Sequence, residues 1–217
     1  MLCPCNVNME KVIEAAWFAA RKHTHQRRKN IEDIPYINHL LEVANLLTSE
    51  GKVTDEDILS AALLHDTIED TGTGKAEILS VFGPNVLNYV LEVTDDKALP
   101  KAERKRMQVK HAHSLSEGAT LIKLADRISN LRSIAAEAPK GWTVDRQLEY
   151  FNWSWEVFEQ LPETRSPLKG LFRKTFEEGY RIVQDRKANE KSLQAKMEIL
   201  RKKLRAHILR MARFGPP

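Results

Sequence analysis

Apolar residues recur at helical spacing along almost the whole chain. Val12, Ile13, Ala16, Trp17, Ala19 and Ala20 predict a helix over 9–23. Leu40, Leu41, Val43, Ala44 and Leu47 predict a second, which Gly51 stops. The stretch 25–33 between them is basic and turn-like. Thr54, with Asp57 three residues on, reads as the cap of a helix that carries His65 and Asp66 and breaks at Thr71-Gly72-Thr73-Gly74. Short helices over 76–82 and 86–93 flank Gly83-Pro84. Pro100 opens a charged helix to about His111, and Ser116-Glu117-Gly118 separates it from a long helix over 121–136. Pro139-Lys140-Gly141 turns into an aromatic helix over 143–161, closed by Pro162, and a last helix runs from Leu168 into the tail. No period-two alternation, internal repeat, low-complexity run or glycine-rich phosphate loop interrupts this pattern. The expected fold is all-α, a bundle of about nine or ten helices ending in a basic amphipathic helix.

Charge changes the picture at the tail. The 217-residue chain carries a net +4. Residues 186–213 alone hold ten Lys/Arg against two Asp/Glu, so the remainder is acidic, with 24 basic groups against 28 acidic ones. The basic balance therefore gives no reason to expect nucleic-acid binding by the main domain. Leu193, Met197, Leu200, Leu204, Ile208 and Met211 form an apolar stripe along this basic helix. Such a stripe packs on its own domain, pairs with a second copy to make a homodimer, or meets nucleic acid or an anionic surface. The expected division is a domain over 1–165 and a helical extension over 166–217. No apolar run reaches the roughly 20 residues a membrane span needs, and the first residues lack the pattern of a signal peptide. Cys3 and Cys5 stand alone near the N-terminus, too few for a structural zinc site, and suit a reducing, cytoplasmic setting.

The chemistry concentrates in Ala61-Ala62-Leu63-Leu64-His65-Asp66-Thr67-Ile68-Glu69-Asp70. Helical spacing sets His65 over Glu69 and Asp66 over Asp70, so a greasy segment delivers an imidazole and three carboxylates to one region. Burying such groups unpaired is costly, and a cation is the natural partner. His39, near the start of an apolar helix, and Asp126, at the end of the apolar run 121–125, complete the set. Two imidazoles and two carboxylates suit one divalent ion such as Mn²⁺, Fe²⁺ or Zn²⁺.

The ordered set His39, His65-Asp66 and Asp126 resembles the HD superfamily of metal-dependent phosphohydrolases. Further motifs narrow the resemblance: Arg27-Arg28-Lys29, Pro35-Tyr36-Ile37-Asn38-His39, Val93-Thr94-Asp95-Asp96-Lys97 and Leu124-Ala125-Asp126 with Asn130-Leu131-Arg132. Together they are similar to the hydrolase domain of the RelA/SpoT alarmone enzymes over roughly residues 9–165. The segment Leu99-Pro100-Lys101-Ala102-Glu103-Arg104 is most similar to the stand-alone small alarmone hydrolases, the metazoan SpoT homologues among them. The resemblance implies removal of the 3′-pyrophosphate from (p)ppGpp, normally with Mn²⁺, giving GDP or GTP and pyrophosphate, a reaction of the stringent response. It also implies catalytic roles for Glu69 and Asp70, placed to position a water and move its proton. A polyanionic substrate calls for cations, and Arg28, Lys29, Lys97 and Lys101 flank the metal motifs. Asn130, Trp142 and Tyr150 are further candidates for substrate contact, while Trp153, Trp155 and Phe158 are expected to pack. At Ser129 the chain departs from the family pattern, which often has a Tyr before the Asn, a difference expected to bear on base recognition.

Some 50 residues follow position 165, too few for a synthetase domain, so the expected enzyme only hydrolyses. The competing readings are another HD phosphohydrolase, acting on other nucleotides or on the phosphate of NADPH, and a catalytically silent alarmone sensor.

Overall fold

The computed structural model describes residues 9–29 and 33–214, the side chains of 206, 207 and 211–214 excepted; Cys3, Cys5 and the side chain of Met211 lie outside what is described. Among these residues there are nine α-helical segments and no strand longer than an isolated bridge. They are α1 (Met9–Lys22), α2 (Ile37–Ser49), α3 (Glu56–Leu64), α4 (Thr67–Asp70), α5 (Lys75–Val93), α6 (Lys101–His111), α7 (Glu117–Ala136), α8 (Val144–Gln160) and α9 (Leu168–Phe214). One of them, α4, is a single turn, so the expected count of nine or ten ran slightly high. None is long and apolar enough to cross a membrane.

Two helices form the centre. The run Ile58 to Leu64 is buried on every face of α3, which α1, α2 and α5 surround. On α7, Leu121, Ile122, Leu124, Ala125, Ile128, Leu131 and Ile134 are buried against α2, α3, α5, α8 and α9. Each fully buried Leu or Ile contributes about 1.5–3 kcal/mol. A second cluster joins α8 to α9, where Phe158 stacks on Phe172 at 4.3 Å and Trp155 lies 4.7 Å from Phe176. Leu168, Phe172 and Val183 of α9 belong to the same core. Arg186 then donates to the carbonyls of Ile134, Ala135 and Ala136, satisfying the exposed end of α7. Beyond it the predicted stripe turns outward: Leu193, Met197, Leu200, Leu204 and Ile208 are 45–61% exposed. These five side chains take no part in the core of the domain.

Local signals explain most boundaries. The cap of α3 is Asp55 rather than Thr54: its carboxylate accepts from the N–H groups of Asp57 and Ile58 at 2.8 and 3.1 Å. Ser116 and Thr143 cap α7 and α8 in the same way. The break inside α5 falls at Gly83, whose φ of 85° only glycine adopts cheaply, and Pro84 restarts the helix. The segment Ser116-Glu117-Gly118 is therefore a helix start, and Gly118 is required there because a Cβ would lie 2.6 Å from the ring of Tyr89. The basic link before α2 pairs with itself. Arg28 N–H donates to Ile34 O and Tyr36 N–H to Gln26 O, which folds the link back and leaves the Arg28 guanidinium 6.0 Å from the ring of Tyr36 at the start of α2.

Candidate metal centre and substrate cavity

The stretch around His65 is not one helix. α3 ends at Leu64, and Asp66, with φ −98° and ψ −2°, is the cap residue of α4. The break gives His65 its role, because its Nδ1–H donates to Ala62 O at 2.8 Å, a carbonyl at the end of α3. Nδ1 thus carries a proton, and Nε2 is left to face the carboxylates. His39, on the first turn of α2, is arranged likewise. Its Nδ1 lies 2.9 Å from Ser129 Oγ, and that hydroxyl gives its own proton to Glu42 Oε2 at 2.8 Å. Both rings are buried, 2% exposed for His39 and 5% for His65, with centroids 5.4 Å apart.

The two Nε2 atoms converge on carboxylates. His39 Nε2 is 3.3 Å from Asp126 Oδ1 and 3.9 Å from Asp66 Oδ2; His65 Nε2 is 3.1 Å from Asp66 Oδ2 and 3.8 Å from Asp126 Oδ1. Neither Nε2 has a hydrogen-bond partner. Lone pairs facing lone pairs in a buried site repel, and either a proton or a cation must lie between them. Ligand atoms about 2.1 Å from an octahedral ion lie about 3 Å apart, near the shorter of these separations. His39, His65 and Asp126 offer donor atoms within 4.8 Å of one another, and Asp66 closes the group. Protons serve the two imidazoles unequally. Burial pushes His39 below its ordinary value, whereas for His65 the Asp66 and Asp126 carboxylates outweigh burial and hold it at about 9. Asp66 and Asp126 overcome their own burial, through the imidazoles beside them, and stay ionised well below the usual carboxylate range. A divalent ion would satisfy all four at once.

Around this centre the polar groups are committed. Tyr36 donates its hydroxyl to Asp66 Oδ2 at 2.5 Å, and burial next to that carboxylate drives its pKa far up, so it remains a donor. Asn130 donates to Asp126 Oδ1 at 2.6 Å and accepts from Arg28 at 3.3 Å. Tyr36 and Asn130 form part of the wall of a cavity of about 320 Å³, whose lining also includes Gln26, Arg28, Lys29, Asp70, Trp142 and Tyr150. Five of the predicted substrate residues therefore share one cavity, one residue removed from the candidate metal ligands. Lys101 lies elsewhere, in an adjoining hollow of about 720 Å³ that shares Trp142 and Tyr150 and holds Lys105, Arg127 and Arg146. Lys97 is tied to the carboxylates, 2.6 Å from Asp70 Oδ1 and 3.5 Å from Glu69 Oε1.

The predicted catalytic pair divides in space. Asp70 is exposed on the cavity wall, held by Lys97 and by Gln26 Nε2 at 2.8 Å. Glu69 sits behind it and accepts from Asp95 N–H at 3.1 Å, with Arg104 3.6 Å away. Burial raises the Glu69 pKa despite these donors.

Several residues here carried no recognised signal in the chain. Ser129 is fully buried between His39 and Glu42 and does not face the cavity, which corrects its expected link to base recognition. Arg127 is 4% exposed, donates to Tyr150 Oη and Gln108 Oε1, and stacks 4.0 Å from the ring of Trp153. Trp153 thus faces the second hollow and is more than packing, whereas Trp155 and Phe158 pack as expected. The usable hint was polarity inside an apolar helix: Lys123, Arg127 and Ser129 interrupt the α7 core run, and each is buried.

Known proteins resemble this chain over most of the domain that carries the site. A profile of the HD domain family matches residues 15–151. The guanosine-3′,5′-bis(diphosphate) 3′-pyrophosphohydrolase MESH1 of Xenopus tropicalis is 54% identical over 159 residues, covering 73% of this chain and 89% of its own. The human MESH1 is 49% identical over 168 residues, covering 77% of this chain and 94% of its own. A solved structure of a metazoan ortholog of SpoT that hydrolyses ppGpp superimposes with a TM-score of 0.75 at 43% identity, covering 77% of this chain and 94% of that one. With its ligand set, its cavity and this extent of identity, the chain belongs to the HD domain family and, within it, to the metazoan SpoT-like pyrophosphohydrolases.

Proposed function

We propose that this protein removes the 3′-pyrophosphate of ppGpp and pppGpp, with Mn²⁺ as the metal and GDP or GTP and pyrophosphate as products. The observation that carries the reading is the pair of buried, unpartnered Nε2 atoms of His39 and His65 facing two carboxylates, beside a cavity lined by cations and aromatic rings. A divalent ion held by His39, His65, Asp66 and Asp126 would acidify a water and neutralise phosphate charge.

The protein's own groups account for the rest. Arg28 and Lys29 bind phosphate oxygens; Arg28 keeps guanidinium donors free beyond its long bonds to Asn130. Trp142 and Tyr150, 5.8 Å apart, offer faces to the guanine or ribose. Asn130, fixed by Asp126, spaces Arg28 from the metal ligands. Asp70 orients the attacking water from the cavity wall, and Glu69, with its raised proton affinity, receives the proton. The bond between phosphorus and the ribose 3′-oxygen breaks, and that oxygen leaves with the proton given up by the water. Lys97 steadies both carboxylates, and Lys101 reaches the distal phosphates from the neighbouring hollow. Every one of these residues falls within 1–165, and the extension over 166–217 supplies none. The reading places the enzyme in the cytoplasm, where its nucleotide substrate is found.

Purified protein incubated with ppGpp and Mn²⁺ is expected to release pyrophosphate and GDP, and chelation is expected to stop it. Tight ppGpp binding with no pyrophosphate would overturn the enzyme reading in favour of a sensor. Turnover of NADPH well above that of ppGpp and pppGpp would overturn the substrate assignment alone.

A further inference from the structure

His39 and His65 each keep Nδ1 protonated, by different means. A backbone carbonyl, Ala62 O, fixes the tautomer of His65, and no side-chain change removes it. His39 depends on side chains. Ser129 has one hydroxyl proton, and Glu42, one turn beyond His39 on α2, takes it at 2.8 Å. The hydroxyl therefore meets His39 Nδ1 with a lone pair at 2.9 Å, which only an N–H satisfies. Were the hydroxyl to turn toward Nδ1, Glu42 would lose this partner and Nε2 would carry the proton, 3.3 Å from Asp126 Oδ1. That alternative satisfies Asp126 with a proton in place of a cation.

We infer that Glu42 and Ser129 are positioning residues that lock His39 as its Nδ1–H tautomer and so decide between ion and proton at Nε2. The inference rests on the metal-centre reading above. Ser129 bridges α7 to α2 at full burial, so the relay also holds the helix of Asp126 in register with that of His39. Neither residue touches the cavity, and neither is needed to complete the ligand set. Outer partners of this kind typically change metal affinity by about 10–100-fold.

The test uses the full chain. Long-range ¹H–¹⁵N spectra of the metal-free protein report the tautomer of each histidine, and calorimetric titration with Mn²⁺ reports affinity. In the wild type His39 is expected as the neutral Nδ1–H tautomer, and His65 as a ring with Nδ1 protonated. Ser129→Ala is expected to move His39 to Nε2–H, leave His65 unchanged and weaken Mn²⁺ binding about 10–100-fold, with Ser129→Thr restoring both. Should Ser129→Ala not fold, Glu42→Leu, at a half-buried position, frees the hydroxyl to turn and is expected to switch His39 the same way. Folded variants with unchanged His39 tautomer and unchanged Mn²⁺ affinity would overturn the relay while leaving the metal centre standing. A wild type that takes up no Mn²⁺ would overturn the metal reading, and the relay's purpose with it.

Discussion

At the scale of single residues, the separation between holding an ion and moving a proton is open to direct measurement. His65→Ala and Asp66→Ala remove donor atoms from the converging set, so bound metal and turnover are expected to vanish together when metal content is assayed beside rate. Asp70→Asn leaves that set whole. It should retain the ion and lose about 10²–10⁴-fold in kcat; an unchanged rate would remove Asp70 from catalysis. For Glu69, burial raises the pKa, and the Asp95 N–H and Lys97 pull it part of the way back. A base works only when ionised, so the acid limb of the kcat/KM profile should lie above the ordinary glutamate value of about 4.3. Lys97→Met takes away a cation that favours the ionised form, so the limb should move further up; movement downward would contradict the assignment. The proposed ligands could be picked out in the sequence because charged groups inside apolar helices are costly and rare. Lys97 was harder to place, since a lysine beside a phosphate site and one beside two carboxylates look the same along the chain.

Between residues and the whole lie the helix ends that aim the ligands. His65 can turn its Nε2 to the centre because α3 stops at Leu64, and the cap at the other end of α3 fixes where that helix starts. Asp55 supplies this cap, so Asp55→Ala should cost about 1 kcal/mol, visible as a fall in Tm of about 2–4 °C. Thr54→Ala should cost little, and equal losses at both positions would restore Thr54 as a capping residue. Adjacent Thr and Asp are near-equal caps on propensity, and only the backbone shows which takes the extended conformation, here Asp55 with ψ 116°. The break at His65-Asp66 was similarly hidden. Neither residue is a helix breaker, and the imidazole bond to Ala62 O that accompanies the break forms only once the fold is made.

For the molecule as a whole, the long helix α9 raises the question of self-association. Its exposed stripe from Leu193 to Ile208 has the spacing of a pairing face, yet Lys196 and Lys203 flank one side of it and Arg201 and Arg205 the other. A second copy would set these cations against their equivalents. Pairing through α9 should therefore be weak at about 50 mM salt and strengthen at about 500 mM, where screening shortens the reach of charge to a few ångströms. Light scattering coupled to size exclusion, with Leu200→Asp as control, checks this; a mass independent of salt and of the substitution would exclude the homodimer.

The sequence by itself determined the all-α class and most helix spans, and it singled out the proposed ligands and carboxylate pair, because periodicity and misplaced charge are local properties that survive without coordinates. Tertiary structure alone decided which groups serve one another. Ser129 lies 90 positions from His39, and Arg28 lies 102 from Asn130. Such pairs depend on how α2 packs on α7 and where the basic link folds back, and nothing in either segment's own spacing encodes the meeting. The outward course of the tail is of the same kind. A stripe announces that a helix seeks a partner, and whether its own domain provides one depends on where the core ends.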